Sequence, residues 1–245
     1  MESSLRSKVV LVTGASSGIG RAAALALSHE GAIVVAAGRR AERLQTLVEE
    51  APGEMVAMEL DVTEPESVDQ VVSAVVARFG RLDALVNNAG LMLAGMILNA
   101  DTDEWVRMVE TNLLGSMRVA HAALPHLIES HGSYVQVSST SGRISSAGAA
   151  AYSATKFGIT AFAESFRQEA TPYGVRTIVV EPGFVATELV NHTTDPVMRE
   201  AADRIGESMR TLQPEDIAAA VVYALGQPDH VAVNEILVRP TDQLH

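Results

Sequence analysis

Short β-branched runs recur along the 245-residue chain, and most are followed by a segment of helical period. Lys8–Gly14 (KVVLVTG), Ala32–Gly38 (AIVVAAG), Glu54–Val62 (EMVAMELDV), Asp83–Gly90 (DALVNNAG), Ser133–Ser139 (SYVQVSS), Val175–Gly183 (VRTIVVEPG) and Asn234–Pro240 (NEILVRP) read as seven strands. Helices are expected from the glycine-rich turn to about Gly31, over AERLQTLVEE, from Pro65, over about Thr102–Ser130, over about Ala150–Thr171 and from Pro214. Pro65 and Pro214 suit a first helical position. Pro125 should bend or interrupt the Thr102–Ser130 helix, because it removes an N–H and crowds the preceding turn. The region Thr187–Met209 reads as polar and irregular, a lid near 187–210. The strands are apolar throughout and do not alternate, which implies burial on both faces. Strand–helix alternation of this kind predicts a parallel sheet covered by helices on both sides. Neither a Gly/Ser linker nor an internal repeat divides the chain, so residues 1–245 are expected to form one doubly wound α/β domain around a seven-stranded parallel sheet. Ligands of such sheets bind at the carboxyl ends of the strands.

Composition removes several alternatives. The chain has no cysteine, so disulfides, thiolate catalysis and thiolate metal sites are excluded. The seven histidines are scattered without an H-x-x-x-H pair, and no metal site is expected. His121 and His126 are out of phase for one helical face and are assigned to packing or surface. A net charge of −12 argues against nucleic acid or an anionic membrane as partner. There is no apolar run long enough for a membrane-spanning helix, and the N-terminal residues lack a signal peptide's apolar region and cleavage site. A cytoplasmic protein is the expectation.

The turn after the first strand, TGASSGIG (Thr13–Gly20), opens the first helix. Gly14 permits a sharp turn, and Gly18 and Gly20 permit close approach of a phosphate and of the helix. The free N–H groups and positive dipole end of the helix then suit a pyrophosphate. This is a Rossmann-type arrangement, although its G-x-x-x-G-x-G spacing departs from G-x-G-x-x-G.

Only two lysines occur in the chain, and one of them, Lys156, lies four residues after Tyr152. On a helix such a pair shares a face. An ammonium near a phenol favours phenolate and should lower a pKa that starts near 10. That reading makes Tyr152 a proton donor and acceptor near neutral pH.

In order along the chain stand TGASSGIG, LDV (Leu60–Val62), NNAG (Asn87–Gly90), Asn112, VSS (Val137–Ser139), YSATK (Tyr152–Lys156) and EPG (Glu181–Gly183). With these motifs the chain resembles the short-chain dehydrogenase/reductase family over essentially its full length. GRRAERL, FRQE, VNEILVRPTDQ and NNAGLML are similar, more loosely, to its 3-hydroxy acid dehydrogenase branch. The family resemblance implies a catalytic set of Asn112, Ser139, Tyr152 and Lys156. Ser139 would bind the substrate oxygen as charge develops there; Ser138 is the alternative, turned to the other side of the strand by the period of two. Asn112 would hold a water linking Lys156 to solvent, and Lys156 would also bond the nicotinamide ribose.

The same resemblance implies cofactor contacts from Gly14, Ser16, Ser17, Gly18, Ile19 and Gly20 in the loop, and from Asp61 and Val62 beside the adenine. Asn88, Ala89 and Gly90 would line the cleft together with Pro182, Gly183 and Val185, and Thr187 would meet the nicotinamide carboxamide. Asp61 is open to a second reading, as a cap of the helix near Pro65. At the end of the second strand an NAD-specific member carries a carboxylate, whereas this chain reads Gly38-Arg39-Arg40. A guanidinium suits a 2′-phosphate, so NADPH is the expected cofactor. For Arg40, a surface position opening the next helix is the other reading. The substrate pocket is expected from Met92, Leu93, Gly142–Ala150, Phe184, Val185 and the region Leu189–Met209, with Arg143 either meeting a substrate carboxylate or facing solvent. The expected activity is reduction of a small aldehyde or ketone, or the reverse oxidation; a dinucleotide-binding regulator without turnover is the non-enzymatic reading. A homotetramer is expected by resemblance, with apolar faces drawn from Leu113, Leu114, Phe157, Phe162 and Phe166.

Overall fold

A computed structural model describes residues 4–244. Seven strands form one sheet: β1 (Val9–Thr13), β2 (Ile33–Gly38), β3 (Met55–Glu59), β4 (Ala84–Asn87), β5 (Ser133–Val137), β6 (Arg176–Pro182) and β7 (Glu235–Val238). Their order is β3-β2-β1-β4-β5-β6-β7, and every adjacent pair is parallel. The helices are α1 (Gly18–His29), α2 (Ala41–Glu50), α3 (Pro65–Phe79), α4 (Thr102–Met108), α5 (Ser116–Ser130), α6 (Ala150–Ala170), α7 (Pro196–Ser208) and α8 (Pro214–Leu225). The doubly wound architecture expected from the alternation is therefore the one observed.

Period two along β1 assigns its side chains to two cores. Val10 and Val12 join Leu27, Leu44, Ile217 and Val221 beneath α1, α2 and α8. Val9 and Leu11 join Val68, Val72, Leu127 and Phe166 beneath α3, α5 and α6. All five β1 residues are buried, which accounts for the unbroken apolar run. Each Val or Leu buried in this way contributes about 1.5–3 kcal/mol. The chain winds outward from β1 in both directions, so the strand order reverses between β1 and β4. The crevice at their carboxyl ends is where a ligand fits.

Two local expectations are corrected. The Thr102–Ser130 stretch is broken by a π-helical turn, Val109–Gly115, and not by Pro125. Pro125 lies within α5 on its exposed side, where water can satisfy the carbonyl that loses its partner. The π turn coincides with Asn112, which is turned inward and fully hydrogen-bonded. The Thr187–Met209 region is not irregular. It contains a 3₁₀ turn, Glu188–His192, and α7, whose start is capped by the Asp195 carboxylate accepting from the N–H groups of Val197 and Met198. No helix among the described residues is long and apolar enough to cross a membrane.

Candidate functional site

The glycine loop is held by side chains from β1 and the end of β4. Thr13 Oγ1 accepts hydrogen bonds from the N–H groups of Asn88 (2.9 Å) and Ala89 (3.0 Å). Asn88 returns one from Nδ2 to the Thr13 carbonyl at 3.0 Å. A Cβ on Gly20 would lie 2.4 Å from the Gly14 carbonyl oxygen, and one on Gly14 would lie 2.9 Å from Ala89 Cα. Gly14 also has φ of +66°, which favours glycine. The N-cap of α1, Ser17, makes no side-chain cap bond, so the first-turn N–H groups remain available to an anion.

From this loop a cavity of about 630 Å³ runs along the carboxyl ends of the strands. Gly14, Ser16, Ser17, Gly18, Ile19, Arg39, Arg40, Asp61 and Val62 line one part of it. Asn88, Ala89, Gly90, Pro182, Gly183, Val185 and Thr187 line the middle, and Ser139, Tyr152 and Lys156 line the other end. Of the catalytic and cofactor residues singled out in the sequence, Gly20 and Asn112 stand behind the wall, Gly20 against Gly14 and Asn112 against Leu91 and Thr155; of the expected substrate-pocket residues, Leu93 and Gly142 do not line the cavity either. Asp61 does not cap α3, whose N-cap is Glu64. Its carboxylate instead accepts from the N–H (3.0 Å) and hydroxyl (2.7 Å) of Thr63. Partial burial raises its pKa, but Thr63 and the neighbouring Arg39 leave it below the usual value.

The α6 face that buries Tyr152, Lys156, Ile159, Ala163 and Phe166 follows the i, i+4, i+7 pattern of a helix packed on a sheet. Lys156 Nζ donates to the Val137 carbonyl at 3.2 Å and lies 5.7 Å from the centre of the Tyr152 ring. Ser139 lines the cavity together with Tyr152, and its Oγ accepts from the Ser141 N–H at 3.0 Å, whereas the Ser138 hydroxyl faces α6 and pairs with Thr160 at 2.8 Å. The expected lowering of the phenol pKa is corrected. Burial pushes Tyr152 up to about 12, against a downward pull from Ser139. Burial also brings Lys156 down to about 8. Both groups have left water together, so desolvation outweighs the attraction between them.

Two further expectations change. Arg143 neither lines the cavity nor faces solvent freely: its Nε donates to the fully buried Glu181 at 2.6 Å, and it also pairs with Glu235. Those two carboxylates raise its pKa. Phe166 is buried with its ring 4.5 Å from that of Tyr134, and Phe162 packs on Phe166, so these two belong to the core. Sequence reasoning did not find Glu188 or Gln243, both of which line the cavity. Gln243 Oε1 accepts from the Phe184 N–H at 2.9 Å, a contact across 59 positions that no local pattern signals.

The model for the short chain dehydrogenase family matches residues 8–197. The chain belongs to the short-chain dehydrogenase family. This short-chain dehydrogenase is 35% identical to an uncharacterized oxidoreductase of Staphylococcus saprophyticus over 98% of both chains. It is also 40% identical to the glycine betaine reductase ATRR of Emericella nidulans, over 98% of this chain but only 19% of that much longer protein. Among solved structures, it superimposes on a closed serine dehydrogenase complexed with NADP+ with a TM-score of 0.91 at 32% identity, covering 97% of this chain and 96% of that one. The likeness extends to an alcohol dehydrogenase from Thermococcus sibiricus complexed with 5-hydroxy-NADP (TM-score 0.86, 31% identity, 97% and 98% covered). This short-chain dehydrogenase is accordingly an oxidoreductase.

Proposed function

We propose that the protein is an NADPH-dependent carbonyl reductase acting on a small aldehyde or ketone that carries an apolar substituent. The observation that carries this reading is the single cavity joining two arginines at one end to Ser139, Tyr152 and Lys156 at the other. The uncapped start of α1 and the Cβ-free loop fit a pyrophosphate, and Arg39 and Arg40 fit a 2′-phosphate. Bound NADPH would supply the hydride that reaches the carbonyl carbon. Tyr152 gives its proton to the carbonyl oxygen, and Ser139 donates a hydrogen bond to that oxygen as charge gathers on it. Lys156 holds the cofactor ribose and offsets the charge left on the phenolate; with the Asn112 side chain spent on Leu91 and Thr155, only its main chain is left to hold the water that returns the proton. A phenol pushed up to about 12 keeps its proton at neutral pH, which suits reduction better than oxidation.

The same cavity is lined by Met92, Ile144, Leu189, Val190, Met198 and Ile205, which suits an apolar substituent. Arg143 cannot meet a substrate carboxylate without abandoning the buried Glu181. Burial first, and then Arg40, lower the pKa of His192, another lining residue, so it brings no fixed cation. A second reading, an NADP-dependent 3-hydroxy acid dehydrogenase, is supported by the likeness to serine dehydrogenase. The looser similarity of GRRAERL, FRQE, VNEILVRPTDQ and NNAGLML to the 3-hydroxy acid dehydrogenase branch supports the same reading. A panel of neutral aldehydes and ketones set beside 3-hydroxy and 3-oxo acids, followed through NADPH absorbance, tests both. Turnover confined to the acids would replace the first reading by the second, and turnover of neither would remove both.

The pH dependence follows from Lys156. Its useful form is the ammonium, which is lost as pH rises through about 8, while Tyr152 stays protonated to about 12. With NADPH saturating, kcat/KM for reduction should be level below pH 8 and fall above it. A profile that stays flat well above pH 8 would remove the lysine charge from this mechanism. As assembly we propose a homotetramer, using the exposed Val106, Val109 and Phe157 on α4, the π turn and α6. Light scattering that reads one 25.9 kDa subunit at micromolar concentration would rule it out.

A further inference from the structure

Beside the mouth of the cavity, two arginines from one segment meet a carboxylate from another. Arg40, at the N-cap of α2, donates from Nε to Ser16 Oγ (3.0 Å) and from Nη2 to Ser17 Oγ (2.6 Å). Its remaining nitrogen, Nη1, reaches Glu188 at 3.1 Å. Arg43 sits three residues further on, on the same face of α2, and grips both oxygens of Glu188 at 3.0 and 2.8 Å. Glu188 comes from the opposite side of the cleft, directly after Thr187 and 145 residues from Arg43. Arg39, which also lines the cavity, is more open to water: its side chain is 68% exposed and 3.9 Å from Asp61.

We infer that Arg43 joins Arg40, Ser16 and Ser17 in binding the 2′-phosphate of the dinucleotide, and that Glu188 occupies this anion site until the phosphate displaces it. The inference rests on the NADPH reading and deepens it. Two guanidinium groups meet on one anion, and one of them is braced by the hydroxyls of Ser16 and Ser17; a phosphate fills such a set better than a carboxylate, since it brings three oxygens and close to two charges. The arginines lower the pKa of Glu188, Arg43 more than Arg40. Yet all three side chains are between 40% and 49% exposed, and ion pairs so open to water add little stability. The arrangement is therefore easily exchanged, and Glu188 has solvent to turn into. Its release also bears on the substrate end, because the 3₁₀ turn it begins leads into α7, which carries Met198 and Ile205.

The test is a calorimetric titration of the full chain with 2′,5′-ADP and with 5′-ADP, which differ in the 2′-phosphate. Wild type should prefer 2′,5′-ADP. Glu188→Gln should tighten 2′,5′-ADP by about two- to fivefold, the scale of one exposed ion pair. Arg43→Ala should weaken it by roughly tenfold or more. Neither should move 5′-ADP. A wild type that favours 5′-ADP overturns the NADPH reading and this inference with it. A wild type that favours 2′,5′-ADP while Glu188→Gln leaves its affinity unchanged or weaker overturns this inference alone, since Glu188 would then be a support for the arginines and not a competitor. An Arg43→Ala variant that binds 2′,5′-ADP as tightly as wild type overturns it too, because Arg43 would then hold Glu188 and not the phosphate.

Discussion

Tyr152→Phe is expected to remove turnover by about 10²–10⁴-fold, the range for losing an acid catalyst, while NADPH affinity changes little. The phenol hydroxyl lines this end of the cavity with Ser139 and keeps its proton at neutral pH. Removing it leaves the ring in place, so the packing of Tyr152 against Leu91, Leu93 and Met108 survives. The fold should be intact by circular dichroism and by its melting transition. The measurements are steady-state reduction of one carbonyl substrate and fluorescence titration with NADPH. Residual turnover above about a tenth of wild type would place the proton elsewhere. Loss of NADPH affinity in parallel would mean that the hydroxyl supports the cofactor and not the chemistry.

How much of this could be read from the sequence depended on whether the determining contact was local. β1 was legible because both its faces are buried, which leaves no polar position to blur the run. Tyr152 and Lys156 were legible because a four-residue spacing on a helix fixes a shared face, and the structure buries both on the same side of α6. The break at Val109–Gly115 was not legible: one extra residue in a helical turn has no composition of its own, and Pro125, the residue that does carry a signal, tolerates its place because it faces water. The direction of the Tyr152 pKa was misread for a related reason. A nearby lysine can be counted in the sequence, whereas the degree to which both groups lose water is a property of the assembled sheet and helices. Glu188 escaped notice because its partners lie at positions 40 and 43, and only closure of the sheet brings β2 and the segment after β6 to the same crevice.

The cofactor preference should reverse when the end of β2 is recast as Gly38→Asp with Arg39→Leu and Arg40→Ala. A Cβ at Gly38 meets Ser16 Oγ at 3.7 Å and Ala15 N at 3.9 Å, ordinary contact distances, so the new side chain fits without moving the glycine loop. Its carboxylate repels a 2′-phosphate and accepts hydrogen bonds from the ribose diol of NADH. From the sequence, Arg39 is the natural candidate for the phosphate; the geometry adds weight to Arg40, which lies between the loop hydroxyls while Arg39 is more open to water. Losing one charge-assisted partner typically costs about 1.5–3 kcal/mol, roughly ten- to a hundredfold in affinity. Gly38→Asp with Arg39→Leu should therefore shift the NADPH/NADH ratio of kcat/KM only partway, because Arg40 would remain and would also pair with the new carboxylate. Adding Arg40→Ala removes both effects and should carry the ratio past unity in favour of NADH. The comparison is made with one fixed carbonyl substrate, so that differences in its binding cancel. If wild type already prefers NADH, or if the ratio ignores all three positions, the arginines at the end of β2 do not read the phosphate and the NADPH assignment falls.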